Sequence, residues 1–105
     1  MIKKGVDLRG LAPQMAIAYI IACKVYGQYA CVITSGSDSK HGPNSLHYVG
    51  KALDLRTNNL PPQAVQSIVD RLKEALGAQF DVVLESDHIH VEFEPKEKWV
   101  EPEDR

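Results

Sequence analysis

The chain alternates between stretches of patterned apolar residues and turn-rich segments. Leu11, Met15, Ala18, Tyr19, Ala22 and Tyr26 recur at helical spacing, with Pro13 tolerated in the first turn and Gly27 just past the end. This predicts a first helix, preceded by an irregular lead-in over residues 1–10. Ala30 to Thr34 is a β-type run that ends in the turn-rich Ser35-Gly36-Ser37-Asp38-Ser39, and the loop continues through His41-Gly42-Pro43-Asn44. From Lys51 to Arg56 the pattern is strict alternation, with Leu53 and Leu55 on one side and Ala52, Asp54 and Arg56 on the other. After Asn58-Asn59 and Pro61-Pro62, a second helix carries Val65, Ile68, Val69, Leu72 and Leu76 and closes at Gly77.

The next stretch predicts a hairpin in a defined register. Phe80, Val82 and Leu84 alternate, as do Ile89, Val91 and Phe93. With Ser86-Asp87 as a two-residue loop, Glu85 pairs with His88, Leu84 with Ile89 and Val82 with Val91. The large apolar side chains then share the core face, and Glu85, His88 and His90 share the other. Glu92 and Glu94 alternate outward with them and read as solvated, with support of a metal ligand as the alternative for Glu92. Residues 95–105 form a charged tail, with Trp99 available to dock it. The expected organisation is one domain over residues 1–94 and this tail.

Composition narrows the possibilities. The chain has 105 residues, 44% hydrophobic and 25% charged, which suits one globular domain and not a disordered chain. Twelve Lys and Arg against 14 Asp and Glu leave no basic stripe of the kind that displaces counterions from nucleic acid. Two cysteines make no disulfide framework, and Cys23 and Cys31 read as small core residues. The apolar run Met15 to Cys23 is too short to span a bilayer. Asp7 and Arg9 intervene before it and no small-residue cleavage site follows, so the protein is expected to be cytoplasmic at synthesis. The sequence does not define the oligomeric state, and a monomer is favoured.

The candidate chemistry rests on the histidines. Asp54 lies on the non-core side of its strand, and His88 and His90 on the non-core side of the hairpin. His47 precedes Asp54 by seven residues, a span of about 23 Å if extended. Ligands of one zinc ion sit roughly 3–4 Å apart. The chain must therefore fold back, and Gly50 can take the positive φ of a tight turn. His47, Asp54 and His90 could then give two imidazoles and a carboxylate, leaving a fourth zinc position open for water. Asp87 at the hairpin tip or Glu85 on the face of His90 could accept the water's proton.

The segment Ser45-Leu46-His47-Tyr48-Val49-Gly50-Lys51-Ala52-Leu53-Asp54 resembles the S-x-H-x-x-G-x-A-x-D signature of the zinc D-Ala-D-Ala peptidases. That family includes D-Ala-D-Ala carboxypeptidases and the L-alanyl-D-glutamate endopeptidases of phage endolysins. Asp87-His88-Ile89-His90 resembles its second element, an acid three residues before a zinc-binding histidine. The resemblance implies zinc binding by His47, Asp54 and His90, with Asp87 as general base. The same stretches resemble the hedgehog signalling domain, where an acid corresponding loosely to Glu85 stands one residue further from the histidine. Asp87 is therefore favoured, with His88 stabilising the oxyanion. In one respect the chain departs from the family: Thr34-Ser35-Gly36-Ser37-Asp38 offers no arginine for a substrate carboxylate or carbonyl, leaving Lys40, Arg56 or backbone amides to substitute.

The resemblance implies a small α+β fold, a mainly antiparallel sheet with two helices on one face and a zinc site on the other. It implies a zinc metallopeptidase cutting an amide bond in peptidoglycan stem peptides, acting on the cell wall after release or delivery. The alternative is a non-catalytic zinc-containing binding or virion module of the same fold. His41 reads as a surface residue of its loop, Ser45 as a turn hydrogen-bonder and Asp38 as a loop cap.

Overall fold

The computed structural model describes residues 1–36 and 50–94. His41, Ser45 and His47, with Asp38, Lys40 and the tail beyond Glu94, lie outside the described residues. The fold is a small α+β body of two helices and a four-stranded antiparallel sheet. Its elements are α1 (Pro13–Tyr26), β1 (Ile33–Ser35), β2 (Ala52–Arg56), α2 (Pro62–Leu76), β3 (Phe80–Leu84) and β4 (His88–Phe93). The strand order is β1-β2-β4-β3, so β2 and β4 are central.

Both helices begin with proline in the first turn, where the missing N–H costs no hydrogen bond. Their buried stripes are Met15, Ala18, Ala22, Val25 and Tyr26 on α1, and Ile68, Val69, Leu72 and Leu76 on α2. These meet Leu53 and Leu55 of β2, Val82 of β3, and Ile89 and Val91 of β4 in one core. Ile17 and Ile20 of α1 stay exposed, so that helix is apolar beyond the stripe it buries. Among the described residues no helix is long and apolar enough to cross a membrane.

The hairpin register is the expected one. Leu84 faces Ile89 and Val82 faces Val91, and the Glu85 N–H donates to the His88 carbonyl at 2.8 Å across the turn. Leu84 departs from expectation in being 41% exposed, at the turn end of an edge strand. Glu92 is half-buried and not solvated.

The N-terminal side of the sheet differs more. The first strand covers Ile33–Ser35 and not Ala30 to Thr34. The carbonyls of Ala30 and Cys31 are already taken, by the Asn59 side-chain amide and the Tyr19 hydroxyl, each at 2.8 Å. The lead-in is not wholly irregular either. Ile2 forms a parallel bridge to Ile33, the Ile33 N–H donates to the Met1 carbonyl, and the Lys3 N–H donates to the Ile33 carbonyl, both at 2.9 Å. Gly50 has φ +73° and approaches Gly10 so closely that a Cβ would lie 2.0 Å from the Gly10 carbonyl oxygen. Only glycine combines that dihedral with that contact.

Candidate functional site

The face of the sheet opposite the core carries the polar residues of β2 and β4. Antiparallel pairing sets Asp54 opposite His90, Arg56 opposite His88 and Ala52 opposite Glu92. Side chains two residues apart on a strand share a face, so Asp54, Arg56, His88, His90 and Glu92 form one surface. Asp54 is nevertheless only 8% exposed. A carboxylate that buried is stable as an anion only with hydrogen-bonding partners.

His90 is one of these partners. Its Nδ1 lies 2.9 Å from Asp54 Oδ1 and its Nε2 lies 2.7 Å from Glu92 Oε1. As an imidazolium it donates to both. Its pKa rises from the ordinary 6.5 to about 9, chiefly through the bond to Asp54, against the opposing effect of burial and with further help from Glu92.

His88 extends the constellation toward the turn. Its Nδ1 lies 2.7 Å from Asp87 Oδ1, and its Nε2 lies 3.6 Å from the same Asp54 oxygen that meets His90. Asp54 Oδ1 therefore stands between two imidazoles, and Asp87 fixes the ring of one of them. The Asp87 side chain is 82% exposed, so its second oxygen is open to solvent or substrate. Glu85 is exposed, and among the described residues its side chain makes no hydrogen bond or ion pair.

Of the six residues expected to carry chemistry, the described region brings together Asp54, His88, His90 and Asp87, leaves Glu85 at the margin and does not include His47. Asp54, His88 and His90 do not close into a three-ligand set by themselves. Among the described residues, the group of three whose donor atoms all lie within 4.8 Å of one another is Asp81, Glu92 and Glu94. Asp81 faces Glu92 across β3 and β4. These are hard oxygen donors, suited to calcium or magnesium more than to zinc, and only their proximity points to a cation.

Sequence reasoning missed one contributor and left another between two roles. Glu92 read as a solvated acid or as support for a metal ligand, and the contact to His90 separates it from Glu94. Lys3 came from a lead-in without pattern, yet with Thr34, Arg56, Asn58, Asp87 and His88 it lines a cavity of about 270 Å³. No family model matches the chain, and no curated protein matches it.

Proposed function

We propose that the chain is a zinc-dependent peptidase acting on peptidoglycan stem peptides, with the fold shared by the D-Ala-D-Ala peptidases and the hedgehog domain. The observation that carries this reading is the meeting of Asp54 and His90, 36 positions apart in the chain, at 2.9 Å. The carboxylate and the imidazole meet at hydrogen-bond distance, and parting by a few tenths of an ångström would let them take two positions around one zinc ion, whose bonds to each are about 2 Å. By its resemblance to the family signature, His47 would supply the third ligand. Glu92 at the other ring nitrogen of His90 is the kind of carboxylate partner that orients a ligating imidazole.

Zinc held there supplies a Lewis acid that polarises the scissile carbonyl. The remaining work falls to the chain's own groups. Asp87 accepts a proton from the attacking water and delivers it to the amine as the carbon–nitrogen bond breaks. His88, held by Asp87 through Nδ1, presents Nε2 as a donor to the oxygen that gains charge. The measurement is mass spectrometry of defined muropeptides incubated with zinc-loaded protein. Cleavage is expected, with Asp87→Ala lowering the rate by about 10²–10⁴ and a chelator abolishing it. Intact stems with the zinc-loaded protein would refute the proposal.

A further inference from the structure

The helix side of the sheet holds two nucleophilic groups that the proposed chemistry does not use. Cys23 and Cys31 are the chain's two cysteines, one on α1 and one on the approach to β1. The chain reverses between them. The Gly27 N–H closes α1 on the Cys23 carbonyl at 3.2 Å, and the Tyr29 N–H donates to the Tyr26 carbonyl at 3.1 Å. Tyr19 and Cys23 stand four positions apart and share a face of α1. The Tyr19 hydroxyl donates to the Cys31 carbonyl at 2.8 Å, which holds Cys31 against that face. The two thiols are in hydrogen-bonding contact with each other. Cys31 belongs to the core cluster and Cys23 packs against it.

The two sulfurs differ in access. Cys23 is half-buried, so an external reagent reaches its sulfur first. Cys31 is 5% exposed, and burial pushes its thiol far above the ordinary range, with the neighbouring Cys23 adding to the shift. The contribution of Cys23 ends once its sulfur is tied up in a mixed disulfide. The pair thus has the form of an attacking thiol backed by a resolving one. A disulfide needs its sulfurs about 2 Å apart, and thiols already in contact can reach that by side-chain rotation. No third cysteine competes for either partner.

We propose that Cys23 and Cys31 are a redox-active pair that closes to an intrachain disulfide when the folded protein meets a small-molecule disulfide such as oxidised glutathione. Cys23 gives up its proton to solvent, and its thiolate attacks one sulfur of the reagent. The reagent's S–S bond breaks and one glutathione thiolate leaves. The Cys31 sulfur then attacks the Cys23 sulfur of the mixed disulfide, passing its proton to the released thiolate, and the second glutathione leaves as the protein bond forms. Two protein thiols are oxidised and one reagent disulfide is reduced to two thiols. The bridge pins the last turns of α1 to the chain that enters β1, on the side of the sheet opposite His88 and His90. A chain kept reduced where it is made would gain stability on reaching an oxidising compartment. Nothing in this depends on the peptidase activity.

The test incubates the folded protein, without denaturant, with oxidised glutathione and follows it by mass spectrometry of the intact chain and its peptides. The expected product is a monomer lighter by two hydrogen atoms, with the peptides of Cys23 and Cys31 linked. Cys31→Ala should stop at a lasting glutathione adduct on Cys23, and Cys23→Ser should leave Cys31 unmodified. The bridge closes the short loop from Cys23 to Cys31. In urea it should lower the unfolding equilibrium constant by roughly tenfold to a hundredfold, and dithiothreitol should reverse the gain. Four results would overturn the proposal: two free thiols after exposure, a mixed disulfide that persists in the wild type, a disulfide-linked dimer, or a bridged form no more stable than the reduced one.

Discussion

Ile89 and Val91 alternate along β4 with His88, His90 and Glu92, yet the two sides of this strand are held by different physics. On the helix side Ile89 is 0% exposed and Val91 2%, and each contributes through non-directional burial, about 1.5–3 kcal/mol per side chain. On the other side the contributions are directional. They depend on an imidazole meeting Asp54 at 2.9 Å and Glu92 at 2.7 Å. Adjacent residues thus serve stability and chemistry through one backbone. Damage on one side should leave the other side's signature intact, and this separability can be tested.

The largest effect is expected on the apolar side. Ile89→Ala removes a buried branched side chain and leaves a cavity, which costs about 3 kcal/mol, within the 2–5 kcal/mol of such truncations. Urea unfolding should show the midpoint falling with the slope unchanged. In the folded fraction the imidazole of His90 should still titrate near pH 9, as read by NMR. A midpoint that slides toward 6.5 would mean that the two sides form one packing unit.

A somewhat smaller effect is expected on the polar side, and it is read through pH. The folded-state pKa of His90, about 9, lies above its ordinary 6.5. Its protonated form is therefore the stabilised one. The stabilisation is fully present below about pH 6.5 and is lost as pH rises through about 9, amounting to on the order of 2–3 kcal/mol. Metal-free protein should lose stability across that window. Glu92→Gln should reduce the loss, because one of the two carboxylates that favour the imidazolium is gone. A flat profile in wild-type protein would show that the pair contributes nothing to folding. Zinc should remove the dependence, since a ligating imidazole carries no proton on the bound nitrogen.

How much of this was legible follows from where the pattern was strict. The alternation of Phe80, Val82 and Leu84 against Ile89, Val91 and Phe93 admits one register, because a slip of one residue would turn the apolar set to the outside. Once β4 was oriented, the facing of His88 and His90 followed. Asp54 sits in an equally strict alternation, so its side of β2 was legible too, and the positive φ of Gly50 was foreseeable from the turn it had to make. Lys3 was not legible, since the lead-in joins the sheet through main-chain bonds to Ile33 that leave no trace in side-chain pattern. Glu92 was legible only as one of two alternatives, because an outward acid and a partner of His90 occupy the same parity. Only pairing across β2 and β4 distinguishes them.

The smallest predicted effect tests the one place where the comparison is expected to leak. Tyr26 belongs to the core cluster on the helix side, but its hydroxyl donates to the Arg56 carbonyl at 2.7 Å. Arg56 carries its side chain on the other side of β2, into the cavity with His88. Burial raises the Tyr26 pKa far above its ordinary value, which keeps the hydroxyl a donor at any physiological pH. Tyr26→Phe retains the ring and deletes only this bond, so about 1 kcal/mol of stability should be lost. Urea unfolding should show that loss in the midpoint with the slope unchanged, while the imidazole of His90 titrates as in the wild type. A loss of stability alone would confine the hydroxyl to the core. A shifted His90 midpoint as well would mean that the helix layer itself positions the polar face of β2, and the two sides of the sheet would then be coupled through Tyr26.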